Sequence, residues 1–159
     1  AASDVYKRQV EEVGLDLEQR GIKLNYSNLV SPDTVVIADP EQMKKVINNI
    51  ISNSVKYMDK PDGHIDIRIL DEVDSIRVEI EDNGKGIAQK DLQKIFERFY
   101  RTDASRNSAQ GGSGIGLSIV KKIVEDHGGY VWATAKEGEG TCMHFVLRKY
   151  IELQPGGTK

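Results

Sequence analysis

The stretch Ile80-Glu81-Asp82-Asn83-Gly84-Lys85-Gly86-Ile87 decides how this chain is read, because there an alternating apolar run stops in an acid and two glycines. Residues 75–80 (Ser-Ile-Arg-Val-Glu-Ile) carry an apolar side chain at every second position, the period of a half-buried strand. The buried face of that strand delivers Asp82 into the interior. A carboxylate there needs hydrogen-bond donors, and Gly84 and Gly86, lacking Cβ, allow a ligand to approach the backbone closely. Acid and glycines together read as one wall of a pocket; from these residues alone a tight turn between strand and helix is the alternative.

Working outward, residues 65–70 alternate like residues 75–80, and Asp71-Glu72-Val73-Asp74 joins the two runs into a hairpin. Before it, Asp39 can cap a helix, Pro40 suits the first helical position, and Gln42 stands three after the cap as in a capping box. A helix over residues 40–57 is predicted. At 100° per residue, Met43, Ile47, Ile50, Ile51 and Met58 form a broad apolar face, while Asn49, Asn53 and Lys56 fall within about 60° of one another on a polar stripe. Asparagine is a mediocre helix former, so two of them one turn apart point to a use for their side-chain oxygens. A neutral oxygen suits a Mg²⁺ ion that takes its remaining ligands from water and phosphate, and Lys56 can meet phosphate charge. A solvated helix face is the plainer reading of the same stripe.

Nearer the N-terminus, residues 5–20 read as a helix with Val10, Val13 and Leu17 on one side and a stop at Gly21. Residues 22–26 and 34–38, separated by Ser31-Pro32-Asp33, suggest a hairpin at a sheet edge. After the acid-and-glycine turn, residues 91–99 read as a short amphipathic helix with Leu92, Ile95, Phe96 and Phe99 inward. Residues 101–112 contain no large apolar side chain, the composition of a mobile loop. That loop ends in Gly112-Ser113-Gly114-Ile115-Gly116-Leu117 and enters a helix with Ile119, Val120, Ile123 and Val124 inward and a stop at His127-Gly128-Gly129. Glycines at a helix start expose N–H groups and the positive end of the helix dipole, which favour an anion. Strands over residues 130–135 and 141–147 flank a Gly138-Glu139-Gly140 turn.

Length and composition narrow the class. At 159 residues, 38% hydrophobic and 30% charged, the chain fits one globular domain, read here as residues 10–149, with 1–9 as linker and 150–159 as a disordered tail. Net charge is −3 with basic residues spread along the sequence, so nucleic-acid binding is not expected. The one cysteine, Cys142, lies in an apolar run and reads as a core residue rather than a thiol nucleophile. No apolar run approaches a membrane span, and the segment itself is expected not to be membrane-inserted.

Four elements in fixed order now carry a resemblance. Asn49-Ile-Ile-Ser-Asn53-Ser-Val-Lys56-Tyr57 resembles the N box, Asp82-Asn-Gly84-Lys-Gly86-Ile87 the first G box, Phe96-Glu-Arg98-Phe99-Tyr-Arg101 the F box, and Gly112-Ser-Gly114-Ile115-Gly116-Leu117 the second G box of the catalytic, ATP-binding (HATPase) domain of two-component sensor histidine kinases, in the GHKL superfamily. The match spans nearly the whole chain. It implies an α/β two-layer sandwich of the Bergerat type, a mixed sheet of about five strands backed by three helices, with ATP and Mg²⁺ bound. It implies that Asp82 accepts the adenine amino group, that Asn53 coordinates Mg²⁺, and that Asn49, Lys56 and the turn of Gly112, Gly114, Ile115, Gly116 and Leu117 hold phosphates. Tyr57, Gly84, Gly86 and Ile87 would line the nucleotide pocket, Thr141 would support the adenine end, Arg101 would reach the γ-phosphate, and residues 101–112 would form a lid. Asn49, Lys56 and Arg101 are the candidate catalytic groups.

The implied activity is histidine phosphorylation on a helical-hairpin phosphoacceptor domain of the same kinase, followed by transfer to a response regulator receiver domain. The implied setting is the cytoplasmic part of a membrane-anchored bacterial sensor kinase. Two departures stand out. None of His64, His127 and His144 has the context of the family's phosphoacceptor, and all three read as structural. Ser54 stands where the family usually has alanine, a small-for-small change expected to be tolerated. The alternatives are an ATPase of the same fold, for which Asn49 offers no basicity where gyrase and chaperone relatives carry a glutamate, a serine-directed kinase, and a nucleotide-binding module without catalysis.

Overall fold

The computed structural model describes residues 2–97 and 116–150. Five strands, β1 (Lys23–Asn28), β2 (His64–Asp71), β3 (Ser75–Asp82), β4 (Tyr130–Lys136) and β5 (Gly140–Arg148), form one sheet in the order β1-β2-β3-β5-β4. β1 runs parallel to β2 and every other neighbouring pair is antiparallel, so the sheet is mixed. Three helices, α1 (Ala2–Gln19), α2 (Pro40–Lys56) and α3 (Gly116–Asp126), complete the described residues as an α/β sandwich.

The alternation read in the sequence becomes rows of apolar side chains across the sheet. Ile67, Ile80 and Met143 are register partners in one row, Ile69, Val78 and Phe145 in the next, and each is at most 2% exposed. Burial of each such side chain contributes about 1.5–3 kcal/mol relative to leaving it in water. Against these rows pack Met43, Val46, Ile47, Ile50 and Ile51 of α2 and Val120, Ile123 and Val124 of α3. Ile119, expected inward, is 38% exposed because it falls at the edge of the α3 stripe.

Helix ends follow the predicted glycines. Gly21 takes φ +77° after α1 and Gly128 φ +79° after α3, conformations glycine adopts without penalty. In both cases the next N–H closes back on the helix, Ile22 to Leu17 at 2.9 Å and Gly129 to Val124 at 3.0 Å, the Schellman arrangement. At the start of α2, Asp39 Oδ1 accepts from the N–H groups of Glu41 (2.9 Å) and Gln42 (3.4 Å). The reciprocal half of the expected capping box does not form. The Asp39 N–H instead donates to His127 Nε2 at 3.1 Å, while His127 Nδ1 lies 2.7 Å from the Ile123 carbonyl and donates to it, so the histidine ties the end of α3 to the start of α2.

Two expected elements are absent in the expected form. Residues 34–38 make no hairpin with β1; they contribute a single bridge, Val36 to Lys149. The reason lies in burial: only Val36 and Ala38 reach the core, whereas Val35 and Ile37 are 45% and 71% exposed, so β1 finds its partner in β2. Residues 91–97 form successive turns rather than an α-helix, with bonds such as Lys94 N–H to Asp91 O (2.9 Å), although Ile95 and Phe96 are buried as expected. Phe99 lies outside the described residues.

The outer face of the sheet is polar and laced with ion pairs, although Arg77 Nε is buried there with no hydrogen-bond partner. Glu79 receives Arg68 at 3.1 Å, Arg77 at 3.6 Å and His144 at 2.9 Å; the other ring nitrogen of His144 meets the Thr134 hydroxyl at 2.9 Å, and the ring stacks on Trp132. Cys142 joins Glu79 and His144 within 4.8 Å, but the two guanidinium groups supply the positive charge a metal would bring. Burial pushes the Cys142 thiol up to about 12, which makes it an inert core group.

Candidate active site

One helix carries both ends of the site. α2 presents Asn49, Asn53 and Lys56, each half-buried, along one stripe, and its opposite turn buries Ser54 beneath the end of β3. At the Asn49 end, α3 begins: a Cβ added to Gly116 would lie 3.3 Å from Asn49 Oδ1, so the first residue of the glycine-opened helix sits directly on the asparagine stripe. The N box and the close of the second G box are thereby brought together, and the first turn of α3, with the positive end of its dipole, adjoins the stripe of two amides and an ammonium. Leu117 packs on the core behind them. Arg101, Gly112, Gly114 and Ile115 lie outside the described residues, as do Arg98 and Phe99 of the F box and residues 151–159.

At the other end stands Asp82, 9% exposed at the close of β3. Its Oδ1 accepts from the Gly84 N–H at 2.9 Å. Burial pushes the Asp82 carboxyl above the ordinary carboxylate range, and the Gly84 N–H, with the Ser54 hydroxyl and the Thr141 backbone on the same side, only partly offsets the loss of water. Thr141 is the register partner of Asp82 in the β3–β5 ladder and is itself buried, which explains its place at this end.

The glycines also answer a packing constraint that the sequence did not show. A Cβ on Gly84 would come within 2.6 Å of the Tyr57 carbonyl, one on Gly86 (φ +75°) within 2.3 Å of the Lys136 carbonyl, and one on Gly140 (φ +132°) within 2.0 Å of the Asp82 carbonyl. The close approach is therefore that of the protein's own backbone: the acid turn is wedged between the end of α2 and the β4–β5 hairpin. Ile87, next in line, packs on the core.

Tyr57 caps α2, donating its N–H to Asn53 O (3.2 Å) and accepting from the Lys85 N–H (3.2 Å). The ammonium groups of Lys56 and Lys85 lie 5.3 and 5.1 Å from the centre of its ring, so the tyrosine is flanked by two cations at the mouth of the site. Lys85 was not marked by the sequence reading, being the variable position inside a glycine pattern. Ser54 was marked only as a tolerated change, whereas its hydroxyl is one of the groups that hold Asp82. A serine buried on the core side of a helix, one residue from a ligand-type asparagine, was the available signal.

Comparison with known proteins bears on this arrangement. The family described as histidine kinase-, DNA gyrase B-, and HSP90-like ATPase matches residues 38–151. The sensor histidine kinase WalK of Bacillus subtilis (strain 168) is 41% identical over 122 residues, covering 76% of this chain and 20% of that protein, so the chain spans about a fifth of this relative. Among solved structures, the mycobacterial sensor histidine kinase MprB superposes with a TM-score of 0.78 at 29% identity, over 93% of this chain and 95% of that one. Histidine kinase ThkA, in its complex with the response regulator protein TrrA, does so with a TM-score of 0.74 at 25% identity, over 93% and 40% of the two chains. With the acid turn, the asparagine stripe and strands β2 to β5 all inside the matched region, the chain belongs to the family of histidine kinase-, DNA gyrase B- and HSP90-like ATPases.

Proposed function

We propose that this chain is the catalytic and ATP-binding part, residues 10–149, of a sensor histidine kinase. It would bind MgATP and transfer the γ-phosphoryl group to a histidine on the helical-hairpin phosphoacceptor domain of the same kinase, from which a response regulator receiver domain takes it. The observation that carries this reading is the layout along α2: a buried acceptor, Asp82, at one end and a stripe of Asn49, Asn53 and Lys56 meeting the start of α3 at the other. A buried acceptor paired with a stripe of amides and an ammonium suits a molecule with a donor-bearing base at one end and phosphates at the other.

In this reading Asp82 accepts from the adenine amino group. A carboxylate has about four acceptor positions, and the Gly84 N–H occupies one of them, which leaves room for the adenine donor. Thr141 and Ser54 orient it, and Tyr57, Gly84, Gly86 and Ile87 form the pocket wall. Asn53 offers a hard neutral oxygen fitted to Mg²⁺, which when bound neutralises phosphate charge. Asn49, Lys56, Gly116 and Leu117 hold the phosphates. The chain's contribution is positioning and charge neutralisation, since the γ-phosphorus leaves the β-γ bridging oxygen for an imidazole nitrogen on another domain, which then sheds its proton. The name of the Bacillus subtilis relative, a sensor histidine kinase, supports a parent that is a membrane-anchored bacterial sensor with its kinase part in the cytoplasm; no helix among the described residues is long and apolar enough to cross a membrane.

Hydrolysis is disfavoured by Asn49, whose amide cannot activate water. Incubating the chain with γ-labelled ATP and the helical-hairpin domain of the parent protein tests the proposal. The expected product is an acid-labile, base-stable phosphohistidine on that domain and very slow phosphate release by the chain alone. Rapid release without the partner would favour an ATPase, and phosphate on serine would favour a serine-directed kinase.

A further inference from the structure

Lys60 lies in the connection between α2 and β2, outside every motif above. Its ammonium donates to the Gly84 carbonyl at 3.2 Å and to the Gly138 carbonyl at 2.9 Å, and it pairs with Asp59 at 3.1 Å. Gly84 belongs to the acid turn and Gly138 to the turn between β4 and β5. Two backbone bonds run alongside, from the Gly138 N–H to Lys85 O at 2.7 Å and from the Lys85 N–H to Tyr57 O at 3.2 Å. Three oxygens thus match the three donors of one ammonium, and three chain segments meet at it. The same turn fixes Asp82, whose Oδ1 takes the Gly84 N–H at 2.9 Å.

We propose that Lys60 is a positioning residue for the nucleotide: by pinning Gly84 and Gly138 it holds the acid turn against Tyr57 and the β4–β5 hairpin, and so keeps the Asp82 carboxylate where adenine is read. This rests on the reading of Asp82 as the adenine acceptor given under the proposed function. The acid turn and the β4–β5 turn are also joined directly, by the Gly138 N–H to Lys85 O bond and the Asp82↔Thr141 register; Lys60 adds the one tie that reaches both carbonyls from the α2–β2 connection. With Lys60 neutral, the carbonyls of Gly84 and Gly138 lose a charged donor, and the turn carrying the Gly84 N–H is free to drift from the geometry that Asp82 needs. The side chain is about one-third exposed (32%), so its replacement leaves no cavity in the core.

The test is calorimetric titration of the intact chain with ADP, with and without Mg²⁺, for wild type, Lys60→Met and Lys60→Arg, with urea unfolding of each. Lys60→Met should bind ADP about tenfold more weakly, the worth of a charge-assisted hydrogen bond. The factor should be the same with and without Mg²⁺, because the disturbance is at the base and not at the phosphates. Lys60→Arg, which keeps a cationic donor within reach of both carbonyls, should recover most of the affinity. Wild-type affinity in Lys60→Met overturns the proposal, even with a lowered urea midpoint, since the lysine would then be merely structural. A loss confined to the titration with Mg²⁺ also overturns it. Should Lys60→Met fail to fold, Lys60→Arg decides: affinity near wild type supports the proposal and a tenfold loss overturns it. A wild-type chain that does not bind ADP at all overturns the nucleotide reading itself, a failure distinct from wild-type binding that Lys60→Met leaves unchanged.

Discussion

Asp82→Ala is expected to abolish ATP binding, weakening it by more than about a hundredfold, while the chain stays folded. The carboxylate is buried, is already oriented by Gly84, Ser54 and Thr141, and in the proposed site is the only group reading the adenine amino donor. Asp82→Asn should weaken binding less, because one acceptor oxygen survives. The two variants should part company in stability. Burial raises the Asp82 pKa, so its favourable contribution to folding is present below the unfolded carboxylate value and is lost as pH rises through the folded one; at neutral pH the ionised group is held in place at a cost. Asp82→Asn removes that cost, and the ligand-free chain should keep or raise its urea midpoint at pH 7. Asp82→Ala leaves the Gly84 N–H without its acceptor and should lower it. Calorimetry and urea unfolding on the same preparations check both halves.

Asn53→Ala is expected to remove most of the Mg²⁺ dependence of ATP binding and to leave adenine recognition largely intact. Asn53 is half-buried on the stripe that meets the start of α3, and in the proposed site its amide oxygen is the hard ligand. The wild-type chain should bind ATP at least about tenfold more tightly with Mg²⁺ than without, a typical cost of losing one group from a metal site. In the variant the two titrations should nearly coincide. Undiminished Mg²⁺ dependence in Asn53→Ala would mean that the stripe is a solvated helix face.

The parts of the molecule legible in the sequence are those where local chemistry and tertiary packing agree. Alternation at Ile76, Val78 and Ile80 gave the central strand, Asp39 and Pro40 the start of α2, and Gly21 and Gly128 the ends of α1 and α3. What failed was pairing. Residues 34–38 have the alternation of a strand, but which strand lies beside β1 is settled by contacts distant in sequence, and β2 wins with a parallel register from Lys23↔His64 to Asn28↔Ile69. The capping box failed for a related reason, since His127 reaches the Asp39 N–H from another helix. At the site, Asp82 and the asparagines could be read because their residue types are unusual where they stand. Lys60 and Ser54 could not, because a lysine in a polar turn and a serine in a helix are unremarked locally and gain their meaning only from the carbonyls and carboxylate they face.

The central claim is that α2, the acid turn and the start of α3 enclose one adenine-specific MgATP site. Titrating the intact chain with ATP and with GTP, each with Mg²⁺, tests it most directly. A site built around the Asp82 acceptor meets a donor on adenine and an oxygen acceptor at the same place on guanine, which would leave two acceptors facing each other with no proton between them. The account predicts a single ATP site per chain and GTP binding weaker by about a hundredfold or more; equal affinity for the two nucleotides would contradict it.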